Sequence, residues 1–300
     1  MSNRIIWLRD LYDHKASFVG GKALQLGELY RNKFPVPDGF VITTNTFTSF
    51  LEKNCILSLI DNFLDSFDYH DTIKLNNIAE EIKNSIISSQ LSIKDEKNIY
   101  ESYRMLDNSV AIRSSATCED GKASAFAGQF SSFLNIKGDI DTLIKIIKKC
   151  YASLFNPNAV AYILKKKYNY KTIKMAIIIQ KMVNAKKSGV IFTMNPATNK
   201  HGEMIVESAE GLGENLVAGK IIPDYYVINK LNDQIKQKKI LKNEILSRYE
   251  LKDIIDLGKR IENHYRAPQD IEWSIASSIY ILQTRHITTM KTIKEDQLWV

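Results

Sequence analysis

Apolar positions change period several times along the chain, and each change marks an element. After Gly20-Gly21, residues Leu26, Leu29 and Tyr30 recur at helical spacing, which places Lys22 near a helix N-terminus. Pro35-Val36-Pro37-Asp38-Gly39 reads as a turn, and 40–43 as a strand. Residues 45 to about 105 keep a helical pattern, with polar breaks near 68–71 and at Ser92. From 109 onward the pattern is mixed. Strands are predicted over 109–113 and 130–135, and helices over 139–155 and 158–168. Three further strands, 175–182, 189–194 and 203–208, follow in close succession and suggest a largely antiparallel sheet. Gly211-Leu212-Gly213-Glu214 is a tight turn, 225–228 another strand, and about 242–265 a helix after a polar stretch. The chain then shows two apolar runs, 270–275 and 279–285, separated by Ala276-Ser277-Ser278, a hairpin pattern.

These elements describe an α+β fold with a helix-rich N-terminal portion (1–107) and a mixed portion (108–300) that includes the 270–286 hairpin. Three hundred residues can bury a substantial core in one large domain or two lobes. The net charge of +7 permits an acidic ligand or nucleic acid, but 34 acidic residues accompany the lysines. The densest basic stretches, 145–149, 165–167 and 236–239, fall in amphipathic or loop-like segments without the aromatic interleaving of RNA readers, so no nucleic-acid partner is expected. Cys55, Cys118 and Cys150 are odd in number and form no CxxC pair, and the five histidines form no metal-spaced cluster. No apolar run approaches ~18 residues, so no membrane partner is expected and the location expected is the cytoplasm.

The chemistry-bearing stretch with the most to say is V-A-I-R-S-S-A-T-C-E-D-G-K-A-S-A-F-A-G-Q, from Val110 to Gln129. A β-branched strand runs into Arg113, which opens a run of small residues. Small side chains let main-chain N–H groups approach an anion, and the guanidinium adds a fork of donors suited to phosphate. On composition alone the stretch reads equally as a flexible surface loop. Gly20-Gly21-Lys22 resembles part of a phosphate loop, yet residue 23 is alanine and Ala16 stands where the pattern needs its first glycine. A lysine after two glycines at a helix start still neutralises phosphate by backbone and dipole, although a simple glycine cap beside a solvated lysine fits as well. A hydrolase elbow of the G-x-S-x-G type is absent.

If the hairpin turn centres between Ser277 and Ser278, Glu272 lies opposite Gln283 and Asp270 opposite Arg285. Directly opposed residues share a face. That face then holds a carboxylate, a carboxamide and a guanidinium, with Ile271, Trp273 and Ile275 on the other. In isolation an edge hairpin with its polar face in water fits the same alternation. Magnesium takes hard oxygen ligands together with phosphate oxygens and water, so Glu272 is the best ligand candidate, with the Gln283 carbonyl oxygen second. Lys22, Arg113 and Arg285 with such a metal suffice for phosphoryl transfer without a covalent nucleophile.

Nine fragments, in order along nearly the whole chain, carry a resemblance. They are V-G-G-K from Val19, V-P-D-G-F-V-I-T-T from Val36, V-A-I-R-S-S-A-T-C-E-D from Val110, F-A-G-Q from Phe126 and Q-K-M-V from Gln180. S-G-V-I-F-T-M-N-P from Ser188, G-L-G-E with a following P-D from Gly211, P-Q-D-I-E-W from Pro268 and I-L-Q-T-R from Ile281 complete them. In these the chain resembles the N-terminal nucleotide-binding domain of the phosphoenolpyruvate synthase, pyruvate phosphate dikinase and rifampin phosphotransferase family, which has an ATP-grasp architecture. The resemblance implies a single ATP-grasp nucleotide-binding unit over 1–300 that binds ATP and Mg2+. It implies that Lys22 and Arg113 contact phosphates, while backbone near Gly128 and the Ser132 hydroxyl line the same pocket. Gln180 is implied near the base or sugar, Glu272 and Gln283 at the metal and ribose–phosphate region, and Arg285 on phosphate. Glu207 and the Gly211–Gly213 turn are weaker candidates for the wall of the site.

The resemblance also sets an expectation for the reaction. Members of the family pass the β-phosphate of ATP to a histidine on a swivelling domain and release AMP, and a further domain phosphorylates the acceptor. No T-x-H-A-type histidine motif occurs in these 300 residues, and His286 stands where a proline usually follows the arginine. The expectation is therefore a dikinase-type subunit that works with a separate histidine-bearing protein and an acceptor-binding protein, a division similar to phenylphosphate synthase. The alternatives are a direct small-molecule kinase and a non-catalytic ATP-binding sensor.

Overall fold

The computed structural model describes residues 4–64, 71–106, 109–118, 130–165, 172–217 and 219–287. The chain forms two compact units, Met1–Met182 and Val183–Val300. Both are built on sheets whose strand pairings, among the described residues, are all antiparallel.

The first unit runs β1 (Ile5–Trp7), a short 3-10 helix (Leu8–Asp13), α1 (Ala16–Val19), α2 (Gly21–Arg31), β2 (Gly39–Ile42), α3 (Thr44–Lys53) and α4 (Ile56–Leu64). It continues through α5 (Thr72–Ser88), α6 (Ile93–Arg104), β3 (Val110–Ala116), β4 (Ser132–Ile136), α7 (Ile140–Ser153), α8 (Pro157–Lys165) and β5 (Met175–Lys181). Its five strands are ordered β1-β2-β5-β3-β4, so the helix-rich stretch 1–107 supplies two strands of the same sheet as β3, β4 and β5. Side chains alternate across a sheet, and here the alternation separates two roles. Phe40, Ile42, Ile112, Ile177 and Ile179 form one face and join Phe47, Leu51, Ile82, Ile147 and Tyr151 from the helices in one apolar core. The opposite face carries Ala111, Arg113 and Ser115 of β3, with Gln180, Ile178 and Ala176 of β5 across from them.

Helix starts follow from local capping. Asp71, Ser92 and Asp139 each accept a hydrogen bond from the backbone N–H three residues on, at the starts of α5, α6 and α7. The break expected at Ser92 is thus a helix boundary. The other expected break, 68–71, falls mainly outside the described residues, apart from Asp71 itself.

The second unit contains β6 (Lys187–Phe192), β7 (Glu203–Glu210), the short α9 (Glu214–Val217), β8 (Asp224–Asn229), β9 (Ile235–Lys239), α10 (Arg248–Tyr265), β10 (Gln269–Ile275) and β11 (Ile279–His286). Its six strands are ordered β11-β10-β6-β7-β8-β9. The three strands expected in succession therefore part company: β5 belongs to the first unit's sheet, while β6 and β7 pair in the second. The helix expected from about 242 starts instead at Arg248, because Ser247 and Glu250 form a reciprocal capping box there. Leu251, Ile254, Ile255 and Ile261 make the buried stripe of α10.

Two strands lie outside the predicted elements. β1 is only three residues long, and β9 is exposed along its whole length. β9 is an edge strand whose Lys236 and Lys238 pair with Glu203 at 3.0 Å and Glu244 at 2.6 Å. Charged edges of this kind discourage further strand pairing, so such a strand has no apolar face to reveal it.

Close packing at Gly189 fixes how β10 lies on β6. A Cβ there would stand 1.9 Å from the Glu207 carbonyl oxygen and 2.4 Å from the buried Trp273 ring. Neither backbone nor a fully buried indole can give way cheaply. Gly189→Ala is expected to destabilise the protein by about 3 kcal/mol, read as a lower midpoint in urea denaturation with the slope unchanged.

Candidate functional site

In the first unit the geometry starts at the N-terminus of α2. Gly20, the cap, has φ +74°, and a Cβ on it would meet the Ser115 carbonyl oxygen at 2.1 Å. Glycine alone tolerates both the conformation and the approach. The strand then supplies what the cap lacks: Ser115 Oγ accepts a hydrogen bond from the Ala23 N–H at 3.1 Å. Arg113 lies two residues earlier on β3 and so projects from the same face as Ser115. Lys22, in the first turn of α2, is thereby anchored to the strand face that bears Arg113. The Lys22 charge also acts on the buried Cys150 thiol, opposing the larger effect of burial, which pushes that thiol up to about 12.

The strand differs from its expected form. β3 continues to Ala116, with Ser114, Ser115 and Ala116 opposite Ile177, Ala176 and Met175. Arg113 therefore sits within the strand, not at its end, and the first small residues serve packing and capping. Ser115 has to be small because Gly20 presses on it, and Ser114 faces the helical core. The remainder of the small-residue stretch, 119–129 with Gly128, lies outside the described residues.

Ser132 stands directly opposite Arg113 on β4 and is exposed, so the structure brings these two together on one face. Gln180 lies on that face as well, but it is almost fully buried and its Nε2 donates to the Pro37 carbonyl at 3.1 Å. Half of its amide is thus committed to holding the 35–39 turn. Arg113 is itself buried, 8% exposed.

In the second unit the 270–286 hairpin pairs Glu272 with Gln283 and Asp270 with Arg285, the pairs that spacing predicts. The route to them is different. The turn centres on Ser277, with Ile275 opposite Ile279, and an irregularity between Glu272 and Trp273 takes up Leu282. That extra residue restores the pairing beyond it, and a bulge of this type commonly re-aims side chains near functional sites. Ile271, Trp273 and Ile275 lie on the buried face, as alternation requires.

The pairing continues across the sheet. Glu272 is opposite Val190, Val190 opposite Glu207, and Glu207 opposite Tyr225. Gln283, Glu272, Glu207 and Tyr225 thus stand in one row on one face, with Asp270 and Arg285 in the next row. Among the described residues, the buried hydroxyls of Ser274 and Ser188, opposed on this same face, find no hydrogen-bond partner. The weaker candidate Glu207 is therefore on the same face as the hairpin residues. Gly211, with φ +74°, turns the chain after β7, and Gly213 packs near Ser188.

Arg285 gives up much of its fork locally. Its Nε and Nη2 both reach Asp270 Oδ2, at 2.7 and 2.6 Å. Burial pushes the Asp270 carboxyl up, the Arg285 charge holds it back, and Glu272 pushes it further up. Burial, with the Asp270 charge second, likewise pushes Glu207 above its ordinary value. Asp270 entered the spacing analysis only as the partner of Arg285, and here it is the buried residue that orients that arginine.

Glu272 and Gln283 are half-buried neighbours offering hard oxygen atoms, the donor chemistry that magnesium requires. No group of three or more His, Cys, Asp and Glu suited to a metal occurs among the described residues. A cation at this pair would therefore complete its shell with ligand oxygens and water, as magnesium commonly does with phosphates.

Other motif residues have structural partners. Asp224 accepts from the Ile245 N–H at 2.9 Å, and Asn195 donates to Glu203 and accepts from the 197–198 backbone. His286, in the place of the usual proline, lies 2.7 Å from Gln269 Nε2, and Gln269 also accepts from Thr284. It is tied into the β10–β11 pairing and makes no new reactive centre.

The pH response follows from Glu207. Its folded pKa is above the unfolded value, so the folded state binds the proton more tightly between the two. Stability falls as pH rises through that window and stays reduced above it. Glu207→Gln is expected to raise the unfolding temperature at neutral pH and to lose that advantage well below the ordinary carboxyl value of 4.5, measured by calorimetry across pH.

No helix among the described residues is long and apolar enough to cross a membrane. The family model for the pyruvate phosphate dikinase AMP/ATP-binding domain matches residues 16–253 and 241–298. A probable phosphoenolpyruvate synthase of Archaeoglobus fulgidus is 37% identical, the match covering 97% of this chain and 42% of that protein. One from Methanocaldococcus jannaschii is 34% identical over 98% of this chain and 27% of its own. The rifampicin phosphotransferase of Bacillus subtilis is 32% identical over 98% of this chain and 37% of its own length. The chain thus spans less than half of each of these relatives. With the match running across both units, the chain belongs to the pyruvate phosphate dikinase AMP/ATP-binding domain family.

Proposed function

We propose that this chain binds magnesium-ATP through an ATP-grasp-type unit and acts as the nucleotide-splitting part of a dikinase-type phosphotransferase. In this reading the β-phosphate passes to a histidine on a partner protein and AMP is released, while a further protein binds the acceptor. The observation that carries it is the hydrogen bond from the Ala23 N–H to Ser115, with Gly20 pressed on the same serine. It ties a helix N-terminus and its lysine to the strand face that bears Arg113. Backbone N–H groups, a helix dipole, an ammonium and a guanidinium form the donor set by which proteins bind polyphosphate.

The proposed roles follow from chemistry. Lys22 and Arg113 neutralise phosphate oxygens, and Ser132, beside Arg113 on β4, donates its hydroxyl to the same ligand. Gln180 keeps one side of its amide for the turn and offers the other toward base or sugar. Glu272 and Gln283 hold magnesium, which when bound neutralises phosphate charge and aligns the transferring group. Arg285, oriented by Asp270, turns its remaining N–H groups to phosphate. None of these groups needs to become covalently attached, because phosphoryl transfer asks mainly for positioning and charge compensation.

Relatives named phosphoenolpyruvate synthase and rifampicin phosphotransferase support an ATP-dependent phosphotransfer. The histidine-bearing partner, the acceptor and a cytoplasmic setting belong to the proposal. Incubation with ATP, magnesium and candidate partners, followed by separation of AMP from ADP and detection of acid-labile phosphohistidine, tests it. AMP with phosphohistidine is expected. Robust ADP formation on a small molecule without any carrier would overturn the dikinase assignment.

Arg113→Ala and Glu272→Ala are each expected to lower turnover by about one to two decades, since a charge-assisted contact contributes roughly 1.5–3 kcal/mol. Circular dichroism should remain that of the parent. A variant retaining activity within about twofold of the parent would be removed from the site.

A further inference from the structure

On the helical side of the first unit, opposite the Arg113 face, lies a partly open cavity of about 200 Å3. Phe47, Leu51, Ile60, Phe155 and Ile163 give it an apolar wall. A dry apolar cavity of roughly 150 Å3 is already enough to take up a benzene-sized molecule. This one differs in having two charged residues in its lining, Asp61 of α4 and Lys174 just before β5, both half-buried.

The opposite charges select among occupants. A hydrocarbon would use neither, an apolar acid would meet Lys174 but face Asp61, and an apolar amine would do the reverse. A molecule with an apolar body and one charge of each sign satisfies all three features. A carboxylate has about four acceptor sites and an ammonium three donors, so both residues can take a ligand alongside other partners. We propose that this cavity binds a free apolar α-amino acid of about leucine or phenylalanine size. The side chain packs among the apolar residues, the ammonium meets Asp61 and the carboxylate meets Lys174.

The main chain at Lys174 is pinned to the end of β3. Its N–H donates to Thr117 Oγ1 at 3.0 Å, and the Thr117 N–H donates to the Lys174 carbonyl at 2.9 Å. Thr117 directly follows β3, the strand that carries Arg113. The binding proposal itself does not depend on what that strand binds.

Calorimetric titration of the whole chain with L-leucine and L-phenylalanine is the test, with isocaproate and isoamylamine as leucine analogues that each lack one charge. Saturable binding is expected for at least one amino acid, with each analogue weaker by roughly tenfold. Asp61→Asn should remove the advantage of leucine over isocaproate, and Lys174→Met its advantage over isoamylamine. Ile163→Trp, which fills the cavity, should abolish binding. Absence of saturable binding to the parent, equal affinity for a single-charge analogue, or binding that survives Ile163→Trp in folded protein would each overturn the proposal. If Ile163→Trp fails to fold, the two rim variants decide it, because they leave the apolar wall intact.

Discussion

In a sheet, the parity of a residue decides its face, and both units depend on keeping that parity. On β3, Ile112 and Ser114 turn to the helical core while Arg113 and Ser115 turn to α2. On β10, Ile271, Trp273 and Ile275 pack inward while Asp270 and Glu272 share the other face with Gln283 and Arg285. A slip of one residue would exchange these sets, burying carboxylates and exposing an indole, at a cost no local contact could offset. Register is therefore where the strongest packing constraints fall. Trp273 lies across Gly189, the Gln269 N–H donates to Thr193 Oγ1 at 2.8 Å, and Gly20 abuts Ser115.

This explains what could be read in the amino-acid pattern and what could not. Strands buried on one or both faces, such as 40–43, 175–182 and 203–208, announce themselves through apolar residues, and their observed spans differ by a few residues at most. Membership of a sheet is different, because it depends on pairing between segments distant in sequence. Nothing local to Met175–Lys181 says that it pairs with β2 and β3 and not with β6. The strand through Arg113 extends further than its apolar residues suggest, because Ser114, Ser115 and Ala116 keep the ladder without apolar bulk. β9 shows the opposite limit, a strand held by backbone pairing and surface ion pairs alone.

The candidate residues divide along similar lines. Pairs defined by alternation over a short hairpin, Glu272 with Gln283 and Asp270 with Arg285, were accessible from spacing, although the Leu282 irregularity that delivers them was not. The association of Lys22 with the Arg113 face was not accessible. It rests on Ser115 accepting from Ala23, 92 residues earlier in the chain. Motif fragments likewise mix roles. The acidic residue of the P-D pair binds backbone at 241–245, and Gln269 and Asn195 hold local structure, so a motif match alone does not separate scaffold from site.

The electrostatics of the second unit's acidic face follow from its crowded carboxylates. Three carboxylates, Glu207, Asp270 and Glu272, stand in two adjacent rows, and the Arg285 guanidinium is engaged with Asp270. Burial is the largest cause raising Glu207 and Asp270, and repulsion adds to it, from Asp270 on Glu207 and from Glu272 on Asp270. A polyphosphate approaching such a face alone would add negative charge to negative charge. A divalent cation reverses the sign of that encounter, since it is attracted by the same carboxylates and presents positive charge to phosphate oxygens. By charge alone the face disfavours a bare phosphate more than it would a metal–phosphate pair. Under the proposed function, Glu207 and Asp270 would raise the local preference for a cation that Glu272 and Gln283 would hold.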